Sequence, residues 1–180
     1  MKQYDTVIFD LDGTLMDTLE DLADAVNEIL QRNGYPVRTI QEVRRIVGNG
    51  LRQTLTLCLP QGTGEEVIDK LLPEFASYYQ EHCQIRTKPY DGIMETLREL
   101  YERGFKLAIV SNKRDEAVKT LNREYFQEYI RVAIGENESA GIRKKPAPDT
   151  VYQALRELGS KKEQAVYVGD SEVDRQTAGN

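Results

Sequence analysis

A chain of 180 residues has room for one domain plus an insert or a small second domain. Hydrophobic residues make up 39% and charged residues 30%, the balance of a soluble globular protein and not of a disordered one. The formal net charge is -6 with no clustered Lys/Arg block, which argues against nucleic acid as a partner, and no apolar run approaches the roughly 20 residues needed to cross a membrane.

The N-terminus passes one early lysine and reaches Asp5, which is no signal-peptide pattern. The first apolar run, Val7-Ile8-Phe9, reads as a short buried strand ending at Asp10. The stretch from Met16 to Cys83 then carries helical patterns and no convincing strand. Leu15, Leu19, Leu22, Ala23, Val26, Ile29 and Leu30 share one helical face, closed by Gly34. Thr39 with Glu42 three residues on fits a capping box. Val67, Ile68, Leu71, Leu72, Phe75 and Tyr79 mark a longer helix. His82, the single histidine, fits no catalytic pattern. Cys58 and Cys83 stand in no metal or redox spacing and read as reduced thiols, so a cytoplasmic location is expected.

After a linker of 84–92 the rhythm changes. Strands are expected at Phe105–Val110, around Ile130–Ile134 and at Ala165–Val168, ending at Ser111-Asn112, Gly135-Glu136 and Gly169-Asp170. Helical faces lie between them: Ile93, Leu97, Leu100 and Tyr101, then Ala117, Val118 and Leu121, then Val151, Leu155 and Leu158. Strand–helix alternation predicts an α/β fold, a Rossmann-like parallel-sheet core with helices on both faces. The expected division is a core of residues 1–15 and 84–180 and an inserted all-helical segment of 16–83. The stop at Asn180 leaves the fourth strand poorly covered and reads as a core truncated at its C-terminal part.

Ligands of such sheets bind beyond the carboxyl ends of the strands, where the polar residues fall. Asp10, directly after a buried strand, can attack phosphorus as a nucleophile. Two anions repel, so the attack needs a cation, and Mg²⁺ suits carboxylate oxygens and phosphate together. Asp10, Asp170 and Asp174 can form a carboxylate cage around it. Asp12 can protonate the leaving oxygen and later activate water. Gly13 and Thr14 can offer backbone amides to phosphate oxygens. Ser111 and Asn112 add neutral donors, and Lys145 in the Lys-Pro-Ala-Pro turn supplies balancing positive charge.

These segments, Asp10-x-Asp12-Gly13-Thr14, Ser111-Asn112, Lys145-Pro146 and Gly169-Asp170-Ser171-x-x-Asp174, resemble in order the four motifs of the haloacid dehalogenase superfamily of phosphatases. The resemblance implies Asp10 as nucleophile and Asp12 as acid/base. It implies Mg²⁺ on the Asp10 side chain, the Asp12 carbonyl and Asp170, with Asp174 nearby, and phosphate binding by Ser111, Asn112 and Lys145. The helical insert resembles the cap of the phosphoglycolate phosphatase-like branch, with Val47-Gly48-Asn49-Gly50-Leu51 as its loop. Gly48, Asn49 and Gly50 read equally as a plain turn or a substrate loop; Arg52 reads first as a surface arginine, with a bidentate partner for a substrate carboxylate as the alternative. The expected substrate is a small phosphorylated metabolite, with 2-phosphoglycolate favoured. A pyrophosphatase, nucleotidase, sugar phosphatase or phosphomutase is the alternative within enzymes, and a truncated, non-catalytic phosphate-binding module the alternative outside them.

Overall fold

The strands form where the apolar runs are. The computed structural model describes residues 3–48 and 50–180. In chain order its strands and helices are β1 (Thr6–Phe9), β2 (Met16–Asp17), α1 (Leu19–Arg32), α2 (Ile40–Arg44), α3 (Leu51–Cys58), α4 (Glu65–His82), β3 (Lys88–Pro89), α5 (Ile93–Glu102), β4 (Lys106–Arg114), α6 (Asp115–Leu121), β5 (Val132–Glu136), α7 (Asp149–Leu158), β6 (Ala165–Val168) and α8 (Glu172–Gly179). The chain divides into two compact units, Met1–Met16 with Pro89–Asn180, and Asp17–Lys88.

The first unit is an α/β layer structure. Four parallel strands run in the order β5-β4-β1-β6, so the first strand is central. Side chains alternate across such a sheet. Val7, Phe9, Leu107 and Ile109 pack on one face with Leu97 of α5 and Val118 and Leu121 of α6. Ile8, Ala108 and Val110 pack on the other with Ala154 and Leu155 of α7. Each fully buried aliphatic side chain of this kind contributes on the order of 1.5–3 kcal/mol against its exposed state. β6 is an edge strand with partly exposed residues, ending at Val168, 37% exposed. β2 and β3 make a separate two-stranded sheet.

Two strand expectations need correction. β4 does not stop at Val110: it continues through Ser111 and Asn112 to Arg114, with a break in register between Val110 and Arg114. The third strand begins at Val132, while Ile130, fully buried, packs from the preceding loop, where Asn122 donates to its carbonyl at 3.1 Å. The α6 helix also runs on as a π-helical turn, Asn122–Phe126, that buries Phe126.

The second unit is helical, around Val26, Ile29, Leu30, Leu55, Ile68 and Phe75. The capping box is present: Glu42 N donates to Thr39 Oγ1 at 3.2 Å, and Thr39 N donates to Glu42 Oε2 at 2.7 Å. Arg38 closes the C-terminal end of α3, its Nε donating to Cys58 O at 2.7 Å. Asp21 of α1 is 3% exposed and accepts from three backbone amides, Ile85 and Arg86 at 3.0 Å and Thr87 at 2.9 Å. Arg86 adds ion pairs to Glu20 and Asp24. This clamp makes residues 85–87 part of the helical unit. His82 stacks on Tyr78, with centroids 4.0 Å apart, and its Nδ1 lies 2.7 Å from Tyr78 O. Among the described residues no helix is long and apolar enough to cross a membrane.

Candidate active site

The expected acids and the Ser111-Asn112 pair lie at the carboxyl ends of β1, β4 and β6, and Lys145 reaches them from the loop before α7. Asp10 follows β1, and its amide donates to Val168 O at 2.8 Å, which ties the ends of β1 and β6 together. The turn after it is fixed from inside: the amides of Leu15 and Met16 both donate to Leu11 O, and all three side chains are fully buried. Gly13 there has φ of +87°, a region glycine enters without steric cost. A Cβ on Gly13 would lie 2.7 Å from Asp170 Cγ, so the missing side chain is the space Asp170 occupies. Gly169 does the same for Asp174.

Asp10, Asp170 and Asp174 offer oxygen atoms all within 4.8 Å of one another. Asp10 and Asp174 are buried at 5% and 2%; Asp170 is exposed, and Thr14 Oγ1 donates to it at 3.2 Å. Lys145, 3% exposed, stands between the buried pair, its Nζ 2.8 Å from Asp10 Oδ1 and 2.6 Å from Asp174 Oδ1. The Asp10 contact has ion-pair distance without hydrogen-bond alignment, so this buried oxygen has no hydrogen-bond donor. Burial pushes the Asp10 carboxyl up to about 7, Lys145 pulls it back, and the Asp174 and Asp12 charges push it further up. Burial and Asp174 also raise Asp170. Burial pushes Asp174 up too, but Lys145, Ser171 and Tyr167 outweigh it and hold that carboxyl below the ordinary range.

The donor set fits a hard divalent cation such as Mg²⁺: clustered carboxylate oxygens, one of them buried without a hydrogen bond. The three acids are not equivalent. Asp174 Oδ1 takes Lys145 and Tyr167, and its Oδ2 takes the amide of Ser171 at 3.1 Å and the Ser171 hydroxyl. It is thereby the α8 capping partner, and Asp10 and Asp170 are better placed to give an oxygen to a cation.

Asn112 holds the lysine loop: Lys145 N donates to its Oδ1 at 2.8 Å and its Nδ2 donates to Lys145 O at 3.0 Å. Two Asn112 side-chain bonds thus go to the Lys145 backbone. Ser111 is buried, and its Oγ accepts from Lys113 N at 3.2 Å. Two residues that drew no notice in the sequence also reach the site. Lys113 Nζ sits 3.1 Å from Asp12 Oδ1, and Tyr167, on β6, donates to Asp174 Oδ1 at 2.9 Å. Lys113 follows the Ser-Asn pair directly, which was the available signal; Tyr167 looked like one more apolar strand residue.

In the helical unit, Gly50 is the N-cap of α3 with φ of +85°, and Gly48 has φ of +120°. Asn49 lies outside the described residues. Arg52 is paired with Glu65 at 2.5 Å and Asp69 at 2.6 Å.

Residues 7–180 match the haloacid dehalogenase-like hydrolase family. The chain belongs to that family. It is similar to a phosphoglycolate phosphatase of Aquifex aeolicus, 36% identical over 169 residues that cover 93% of this chain and 76% of that protein. It is also similar to one of Pseudomonas savastanoi pv. phaseolicola, 35% identical over 96% of this chain, and it spans 64% of that protein, less than two thirds. An N-acetylmuramic acid 6-phosphate phosphatase of Pseudomonas aeruginosa is 31% identical over 91% of this chain and 72% of its own length. A Lactobacillus delbrueckii subsp. bulgaricus protein, provisionally named a phosphoglycolate phosphatase, superposes with TM-score 0.93 at 35% identity, covering 99% of this chain and 83% of that one. The haloacid dehalogenase-like chain therefore sits among phosphatases, in the phosphoglycolate phosphatase-like branch.

Proposed function

We propose that this chain hydrolyses a phosphomonoester through a phospho-Asp10 intermediate with Mg²⁺, and that 2-phosphoglycolate is its substrate. The observation that carries the reading is Lys145 set between buried Asp10 and Asp174, with Asp170 beside them. Asp10 and Asp170 would hold Mg²⁺ with the Asp12 carbonyl; bound there, the ion supplies charge that lets a carboxylate approach a phosphate.

The Asp10 carboxylate oxygen forms a bond to phosphorus while the bond from phosphorus to the ester oxygen breaks. That oxygen leaves as an alcohol by taking a proton from Asp12. Water then attacks the same phosphorus and gives its proton to Asp12. The bond from phosphorus to Asp10 breaks, inorganic phosphate departs, and both acids return to their first state. Lys113, 3.1 Å from Asp12 Oδ1, holds that carboxyl in one direction for both transfers. Gly13 and Thr14 amides, Ser111 and Lys145 meet the phosphoryl oxygens, while Asn112 keeps Lys145 in place. Substrate choice is assigned to the helical unit, with the loop of Gly48 and Gly50 and with Arg52 as its candidates. Two cysteines, neither in a disulfide, suit work in the cytoplasm.

A sugar phosphate is the second reading, favoured by the likeness to the N-acetylmuramic acid 6-phosphate phosphatase. The test is phosphate release from 2-phosphoglycolate with Mg²⁺ or EDTA, beside Asp10→Asn and a sugar-phosphate panel. Release that needs both Mg²⁺ and Asp10 is expected. A folded protein silent on 2-phosphoglycolate and active on a sugar phosphate would replace the substrate; one silent on every ester would overturn the hydrolase.

A further inference from the structure

Lys145 Nζ lies 3.1 Å from the Tyr167 hydroxyl as well as beside Asp10 and Asp174. Tyr167 donates its one phenolic hydrogen to Asp174 Oδ1 at 2.9 Å, which leaves the oxygen lone pairs to accept from Lys145. Lysine, tyrosine and aspartate therefore close a triangle, and the Tyr167 ring centroid lies 5.8 Å from Nζ. The hydroxyl does nothing for packing. The Tyr167 ring lies against the Ile8, Ala154 and Leu155 cluster, where phenylalanine would fill the same space. A phenol on an edge strand, with its oxygen aimed at a buried ion pair, needs another reason.

An ammonium on a flexible four-carbon stem, held by Asp174 alone, could pivot about that contact. The third corner removes the pivot and keeps Nζ at Asp10. We infer that Tyr167 is a positioning residue: bonded to both Asp174 and Lys145, its hydroxyl fixes the Lys145 ammonium against Asp10. The inference rests on the function proposed above, since Asp10 and Lys145 take their roles from it.

The test is Tyr167→Phe in the full chain. The kcat for 2-phosphoglycolate, or for the ester that the panel identifies, should fall about tenfold, the scale of one lost hydrogen bond to a charged group, with KM and the thermal melt unchanged. In an Asp174→Asn background the same change should cost less than in the wild type, because the triangle has already lost its charged corner. The Lys145 ammonium is also read without turnover, by the ¹H–¹⁵N signal of its side chain. Its hydrogen exchange should quicken about tenfold in Tyr167→Phe. Unchanged kcat and unchanged exchange overturn the inference, as does equal loss in both backgrounds or a variant that fails to fold. If the wild type releases no phosphate from any ester, the proposed function fails, while the ammonium signal still decides the role of Tyr167.

Discussion

Asp10→Asn should make the metal-free protein more stable at pH 8 while removing turnover. Burial holds the Asp10 carboxyl at about 7 in the folded chain against an ordinary 3.8. The folded state thus binds this proton more tightly than the unfolded state does. The stability linked to that proton is complete below pH 4 and is lost as pH rises through 7. A displacement of about 3 pH units corresponds to about 4 kcal/mol at 1.36 kcal/mol each. Asparagine carries no charge to desolvate, and Lys145 keeps Asp174 as its partner. The Lys145 attraction is already included in that displacement, so the expected advantage in EDTA at pH 8 is about 4 kcal/mol, shrinking towards zero near pH 4. Urea titrations of both proteins at pH 4.5, 6 and 8, followed by circular dichroism, measure it. Adding Mg²⁺ should stabilise the wild type more than the variant. An advantage that does not change with pH, or a variant weaker than wild type at pH 8 in EDTA, would refute the reasoning.

Asp21→Ala strips the acceptor from three backbone amides, so amide exchange at Ile85, Arg86 and Thr87 should accelerate by about a hundredfold, with unfolding easier by about 2–4 kcal/mol; exchange within twofold of wild type would remove the clamp from the account. Burial pushes the Cys58 thiol up to about 11, so at pH 8 a thiol reagent should label half-buried Cys83 alone, and both cysteines only after denaturation; two fast thiols in the native protein would contradict this.

The strands and their carboxyl-end acids were legible because the signal is local: a short apolar run closed by a polar residue. The Thr39–Glu42 box was legible for the same reason, as both partners lie within one turn. Asp21 was not, because its partners are the amides of residues 85–87 and an amide leaves no mark in the sequence. That bond set also explains why residues 84–88, read as part of the core, group with the helices instead. Ser111 and Asn112 were placed after a strand that runs on through them, since polar residues in a buried strand mimic its end. Asn112 was read as a phosphate donor, and only the fold reveals its two bonds to the Lys145 backbone. Tyr167 was hidden by an apolar context that its ring satisfies and its hydroxyl does not.

The central place of β1 has a consequence for synthesis. β1 is flanked in the sheet by β4 and β6, both of which leave the ribosome much later. Until Lys106–Arg114 emerges, the Thr6–Phe9 segment has no neighbour on either edge, and its second edge waits for Ala165–Val168. A nascent chain therefore carries this apolar strand unpaired while the helical unit is made, a state that favours association with other chains or with a chaperone. The acids follow the same order: Asp10 is made well before the Asp170 and Asp174 carboxylates that complete its cluster. A cation held by these acids would then bind only after β1 and β6 have paired.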